Sequence, residues 1–354
     1  MNMMKRLTAL LLALLFLLPV LSAAEDDTET EVLEETESET AFADETVTEK
    51  DGWHFNAGGF LTGENPGDEY LVEDEKNGLW QYASKDLAIT VTRYQEKTKK
   101  KKQQIYCVAD IRCSEESPLG VIMTEPYAKI GKNLQPGKRQ DEPEKLMKKH
   151  PSVLAVSDDM YGLRIMEISK KKTKYDYHGV IIRNGEVIAT KTRNSQKNRP
   201  WPNMDTLAVY QDGSMKSFVC DAKTAEEYLA EGAVQVFAFG PWLISEGRVN
   251  PDLAKVNNYS EPRIGIGMVE PYHYILVVTA GRPTSKYQGY KLTWLAEKLQ
   301  EYGCTEALNL DGGDTVALAF NNKVILHGNM ESKNLRNLGS MIAFGLKDEP
   351  AAEE

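Results

Sequence analysis

Cysteine is scarce in this chain of 354 residues: Cys107, Cys113, Cys220 and Cys304 are the whole supply, and no two stand at Cys-x-x-Cys spacing. That removes the usual frame of a zinc site. Export would permit disulfides, but the spacing chooses none of the possible pairings. A surplus of positive charge is also missing. The chain carries 42 basic against 53 acidic residues, a formal net charge of -11. Residues 25–49 hold twelve of those acids and no Lys or Arg; setting these and Lys5 and Arg6 aside, 40 basic residues face 41 acidic ones from Lys50 onward. A body so near neutral has no basic face for nucleic acid, which is excluded as a partner. Long apolar runs are lacking after Val20, so no later segment is expected to cross a bilayer.

What is present begins with a targeting pattern. Lys5 and Arg6 precede an apolar run over residues 7–20, and Leu21-Ser22-Ala23-Ala24 follows with small residues. This is a secretory signal peptide over residues 1–24, and the protein is expected to be secreted or at the cell surface. Membrane contact is expected only through that segment if it stays uncleaved. Residues 25–51 read as an acidic disordered spacer, too poor in hydrophobes to order itself. The remaining chain is long enough for one large or two modest domains.

Alternation over Leu87-Ala88-Ile89-Thr90-Val91-Thr92 and over residues 105–111 predicts strands, joined by a solvated Lys-rich tip at Lys97-Thr98-Lys99-Lys100-Lys101-Lys102. Residues 52–125 are expected to form a small β-rich N-terminal module, and residues 126–348 the main domain. In the latter, a helix is expected over residues 144–150, ending at Pro151. A buried strand at Val153-Leu154-Ala155-Val156 leads into Ser157-Asp158-Asp159-Met160-Tyr161-Gly162, and Asn184-Gly185 turns a hairpin. Thr224-Ala225-Glu226-Glu227 is a capping box, and residues 234–239 and Ile275-Leu276-Val277-Val278 are further strands. Leu292, Leu295, Ala296 and Leu299 fall at helical spacing, with Gly303 closing that helix. Many strands with few helices predict an α+β fold: a strand-rich mixed-sheet domain with few helices, plus the small N-terminal module. Trp80, Trp242 and Trp294 read first as core or half-buried residues.

The most informative stretch is Asn309-Leu310-Asp311-Gly312-Gly313-Asp314-Thr315. An apolar run stops at two glycines and a second run resumes, turning at Asn321-Asn322-Lys323 into Val324-Ile325-Leu326 as a hairpin. Adjacent glycines let a ligand approach the main chain, and here two carboxylates flank them. The plainer reading gives Asp and Gly to turn geometry alone.

Taken in order, Phe239-Gly240-Pro241-Trp242, Tyr259-Ser260-Glu261-Pro262-Arg263-Ile264-Gly265-Ile266-Gly267, His273-Tyr274, Gly281-Arg282 and Asn309-Leu310-Asp311-Gly312-Gly313 resemble the phosphodiester glycosidase family. The resemblance runs over roughly residues 105–345 and extends upstream to Ile182-Arg183-Asn184-Gly185 and residues 153–162. A weaker likeness to bacterial members lies in Leu71-Val72-Glu73-Asp74 and Trp80-Gln81-Tyr82. The chain departs from the family pattern at Ser157-Asp158-Asp159-Met160-Tyr161-Gly162, Ala280-Gly281-Arg282, Tyr287-Gln288-Gly289 and Asp314-Thr315-Val316.

The resemblance implies a hydrolase that cleaves the bond between a sugar's anomeric carbon and a phosphodiester oxygen, with a glycan or sugar phosphate as partner. Such a reaction needs a carboxylate at the anomeric carbon and donors for phosphate. Asp311 is the first candidate carboxylate and Asp159 the second. Arg282 is the third catalytic candidate, and with Arg263 it suits phosphate because a guanidinium offers parallel donors. Gly312, Gly313, Asp314, Thr315, Asn309, His273 and Tyr161 complete the expected substrate contacts. No cofactor is required on this reading. Asp314 adds a negative charge that would repel phosphate unless a cation intervened, which makes Ca²⁺ held by Asp311 and Asp314 a minority expectation. The altered motifs leave a second expectation open: a catalytically impaired homologue kept as a glycan-binding envelope protein. A purely structural envelope protein would explain the spacer but not the clustered polar motifs.

Overall fold

The computed structural model describes residues 48–124, 133–134, 140–159, 165–168, 173–175, 178–193, 202–256, 258–332 and 334–347. The expected signal peptide, nearly all of the acidic spacer, and Tyr161 lie outside the described residues. The described part is strand-rich with few helices, as the alternation predicts, and every strand ladder in it is antiparallel. No described helix is long and apolar enough to cross a membrane.

Three sheets enclose one core. The largest has nine strands, in the order Arg248–Val249, Trp242–Ser245, Glu306–Leu310, Ile264–Glu270, His273–Thr279, Gln103–Cys113, Leu87–Lys97, Leu79–Ala83 and Tyr70–Asp74. A five-stranded sheet orders Glu186–Lys191, Gly179–Arg183, Ala233–Phe239, Asp205–Tyr210 and Met215–Phe218. A second orders Lys323–His327, Ala317–Phe320, Ser152–Ser157, Ser340–Leu346 and Gly120–Met123. Residues from all three meet in one cluster, including Ile89, Ile111 and Leu276 from the first, Leu207 and Phe237 from the second, and Val156, Leu318 and Phe344 from the third. Burial of this apolar surface supplies the main drive to fold.

Each sheet carries one helix on its outer face. The Leu292–Glu301 helix turns Leu292, Leu295, Ala296 and Leu299 onto Val108, Ile275 and Val277 of the large sheet. The Ala225–Ala230 helix packs Ala225 and Tyr228 on Val180 and Val236, and both hydrogen bonds of its Thr224–Glu227 capping box form. The Pro143–Lys149 helix sets Leu146 and Met147 against Ala155 and Met341. Trp80 is buried, and Trp242 and Trp294 are partly so.

The strands expected as a module of their own continue the large sheet. Gln103–Cys113 pairs with His273–Thr279 from His273↔Arg112 to Thr279↔Tyr106, so residues on both sides of position 125 share one hydrogen-bonded ladder. All four cysteines are free thiols. Burial pushes Cys107, Cys113 and Cys304 up to about 12, which makes them unreactive.

Candidate active site

The Glu306–Leu310 strand belongs to the nine-stranded sheet, and the Ala317–Phe320 strand to a five-stranded one. The glycine-rich stretch is therefore a bridge between sheets, formed by a 3-10 turn over Gly313–Thr315. Beyond it the Asn321-Asn322 hairpin forms as read, with φ of 46° and 64° at the two asparagines. Gly313 has φ of 65°, a region open to glycine at little cost, and a Cβ there would stand 2.7 Å from Arg282 Nη2. Gly312 lies against Pro262 O, 2.5 Å from where its Cβ would be. The N–H of Gly313, expected to face a ligand oxygen, instead donates to Pro262 O at 3.0 Å. The glycines give this turn its close packing.

A row of alternating charges lies along the turn. Arg282 Nη1 donates to Glu261 Oε2 at 2.7 Å and Arg282 Nε to Asp314 Oδ1 at 3.1 Å. Arg336 Nη2 stands 3.6 Å from Asp314 Oδ2, and Arg336 Nη1 donates to Thr315 Oγ1 at 2.9 Å. Partial burial opposes the charge of Arg282, but the hydrogen bond and charge of Asp314, joined by Glu261, outweigh it and raise its pKa. A pocket of about 240 Å³ opens beside this row, lined by Asp314, His327, Asn329, Ser332, Asn334 and Arg336. Burial lowers the pKa of His327, which favours the neutral imidazole.

Behind the turn is a buried polar layer. Ala317 N donates to Ser157 Oγ at 3.0 Å, which places the end of the Ser152–Ser157 strand beside the bridge. Asp159, expected as a second catalytic carboxylate, is fully buried and accepts from Arg183 Nη2 at 2.6 Å and from the Ala238 N–H. Asp158 lies 3.6 Å from the same nitrogen and accepts from Ser340 Oγ at 2.6 Å. Arg183 also donates to Val236 O at 2.6 Å and stacks 4.2 Å from the Phe237 ring centroid. This geometry ties Asp159 into the joint between sheets.

The structure thus brings Arg282, Gly313, Asp314 and Thr315 together, with Asp311 and Gly312 at the head of the same turn. Asn309, Arg263 and His273 have other partners on the chain. Asn309 is buried, and its Nδ2 donates to Gly240 O at 2.8 Å, which holds the Gly240-Pro241 loop. Arg263 is buried, donates to Tyr259 O at 2.8 Å, and is pushed down to about 10 by burial, against the opposing charge of Glu261. His273 pairs with Asp110 at 2.9 Å at the opposite end of its strand from Thr279, roughly 20 Å from that residue by the rise of a strand. Among the described residues no group of three His, Cys, Asp or Glu side chains is placed to hold a metal ion. Both oxygens of Asp314, expected as a Ca²⁺ ligand, face guanidinium groups instead.

Sequence reading missed Glu261, His327, Arg336 and Arg183. Glu261 sits inside a motif already singled out, and Arg183 precedes the Asn-Gly turn. His327 and Arg336 carry no local signal, because only the return of the chain after the hairpin places them here.

The profile of the phosphodiester glycosidase family matches residues 153–345, a span that contains the charged row, the pocket and the buried polar layer. The catalytic domain of zebrafish N-acetylglucosamine-1-phosphodiester alpha-N-acetylglucosaminidase, solved auto-inhibited by its pro-peptide, shares the fold with a TM-score of 0.54 at 14% identity, over 80% of this chain and 90% of that one. A hypothetical protein from Synechocystis aligns with a TM-score of 0.47 at 12% identity, over 75% of this chain and 63% of that chain. An uncharacterized SPbeta prophage-derived protein of Bacillus subtilis, YomE, is 24% identical over 152 residues, which are 40% of this chain and only 23% of that protein's length. The matched span takes in more than half of the sequence and all the site geometry: this chain belongs to the phosphodiester glycosidase family.

Proposed function

We propose that the protein is an exported glycosidase that hydrolyses sugar-1-phosphodiester bonds in cell-surface glycans or exopolysaccharide. The observation that carries this reading is the convergence of Arg282, Asp314, Thr315 and Arg336 on the turn that begins with Asp311, beside a pocket of about 240 Å³ and inside the family match. The signal pattern of residues 1–24 supports export. In the reaction, water adds to the anomeric carbon and the bond from that carbon to the bridging oxygen breaks. The oxygen departs on phosphorus as a phosphomonoester, and a proton of the water passes to a carboxylate. Asp311 is assigned that carboxylate, and Arg282 and Arg336 offset the charge that grows on the departing phosphate. A divalent cation is not needed on this reading, since the Asp314 charge is met by two arginines.

Release of free sugar from a panel of sugar-1-phosphodiesters by the full chain, with Ca²⁺ or with chelator, tests the proposal. Turnover that falls by 10²-fold or more in Asp311→Asn is the expected result, on the scale of general acid–base contributions. Turnover unchanged in that variant, or none from the wild type, overturns it. A second reading, a glycan-binding protein without catalysis, draws on Arg282 being held by Glu261 and Asp314 together. Glycan retention without sugar release would support that alternative.

A further inference from the structure

We infer that Asp314 is a built-in competitor for the phosphoryl group: its carboxylate fills, within the chain, the anion clamp formed by Arg282, Arg336 and the Thr315 turn. The inference rests on the proposed reading only in taking phosphate as the anion concerned. Its basis is geometric. Two arginines from segments far apart in sequence reach the same side chain, Arg282 Nε at 3.1 Å from one carboxylate oxygen and Arg336 Nη2 at 3.6 Å from the other. Arg336 also donates to Thr315 Oγ1 at 2.9 Å, which fixes its guanidinium against the turn that carries Asp314. A carboxylate held between two guanidinium groups satisfies the same charge and donor geometry that a phosphate oxygen pair would.

The occupant is removable. Asp314 sits on a short 3-10 turn with its side chain 39% exposed, at the edge of the pocket it lines with Arg336 and His327. It is not fixed as Asp159 is, by full burial and a backbone N–H. An incoming phosphate must therefore displace a tethered carboxylate or suffer its repulsion, and either lowers affinity for that group. Glu261 on the far side of Arg282 adds to the effect. The chain would thus bind its phosphodiester weakly and let the product phosphate leave readily.

Calorimetric titration of the full chain with inorganic phosphate at neutral pH and low salt tests this without any turnover. Asp314→Asn, which keeps the shape and one oxygen for Arg282, and Asp314→Gly are each expected to raise phosphate affinity by about tenfold or more, the scale of removing one juxtaposed like charge. Arg336→Ala combined with Asp314→Asn should cancel most of the gain. The inference is overturned if the variants, shown folded by thermal unfolding, bind phosphate no more tightly than the wild type. It is equally overturned if the gain survives loss of Arg336. Because the readout is binding, a gain alongside absent sugar release would retire the glycosidase reading and keep the competitor.

Discussion

Arg183 joins the two five-stranded sheets through single atoms. Its side chain is inaccessible to solvent, and it meets Asp158, Asp159, two carbonyls and the Phe237 ring. Truncating one partner of a buried ion pair strands the other charge, which costs more than the pair itself contributes. Arg183→Met is expected to destabilise the fold by about 3–5 kcal/mol, read as a shift in the midpoint of denaturant unfolding. His327 gives a second expectation at this scale. Burial lowers its pKa, so the unfolded chain binds a proton at a pH where the folded chain does not. Stability should then fall as pH drops from the ordinary histidine value of about 6.5 toward the lower folded value. Tm measured from pH 7 to pH 5 should fall more steeply in the wild type than in His327→Gln; parallel curves would refute this.

Among elements, the short Ala225–Ala230 helix depends on its cap. A helix of this length is not stable by propensity. Thr224 Oγ1 accepts from Glu227 N while Glu227 Oε2 accepts from Thr224 N, which satisfies two otherwise orphaned donors. Thr224→Ala is expected to cost about 1 kcal/mol in global stability, measured by denaturant unfolding. Elements like this one were legible in the sequence because their signals are local. The capping box, the Asn184-Gly185 and Asn321-Asn322 turns, and the apolar face of the Leu292–Glu301 helix all formed at the positions their residues indicate. The partner of a strand carries no such signal, so the apolar runs on either side of Gly312-Gly313 did not reveal that they enter different sheets.

For the whole molecule, the ladder between Gln103–Cys113 and His273–Thr279 makes residues 70–113 part of the body that holds the site. Removing them would bare the edge of the central His273–Thr279 strand and take Ile89, Val91 and Ile111 out of the shared core. A fragment of residues 126–348 is expected to be insoluble or unfolded by circular dichroism and gel filtration. Recovery of a cooperative, monomeric fold from that fragment would show the N-terminal strands to be dispensable.

The sequence by itself determined the neutral body, the strand-rich class and the turn at which Asp311 and Asp314 stand. Each follows from composition or from spacing within a few residues. The tertiary structure alone decided which polar residues meet. Glu261 and Arg282 are 21 positions apart, Arg282 and Asp314 are 32 apart, and Asp159 and Arg183 are 24 apart. It put Arg282 and Asp314 together at the turn and Asp159 in the interior with Arg183. It also brought in Arg336 and His327, which no motif marked. The reason is physical: periodicity and turn chemistry act between neighbours along the chain, whereas an ion pair needs two side chains brought together by the packing of whole sheets, and that packing is set by the core they bury.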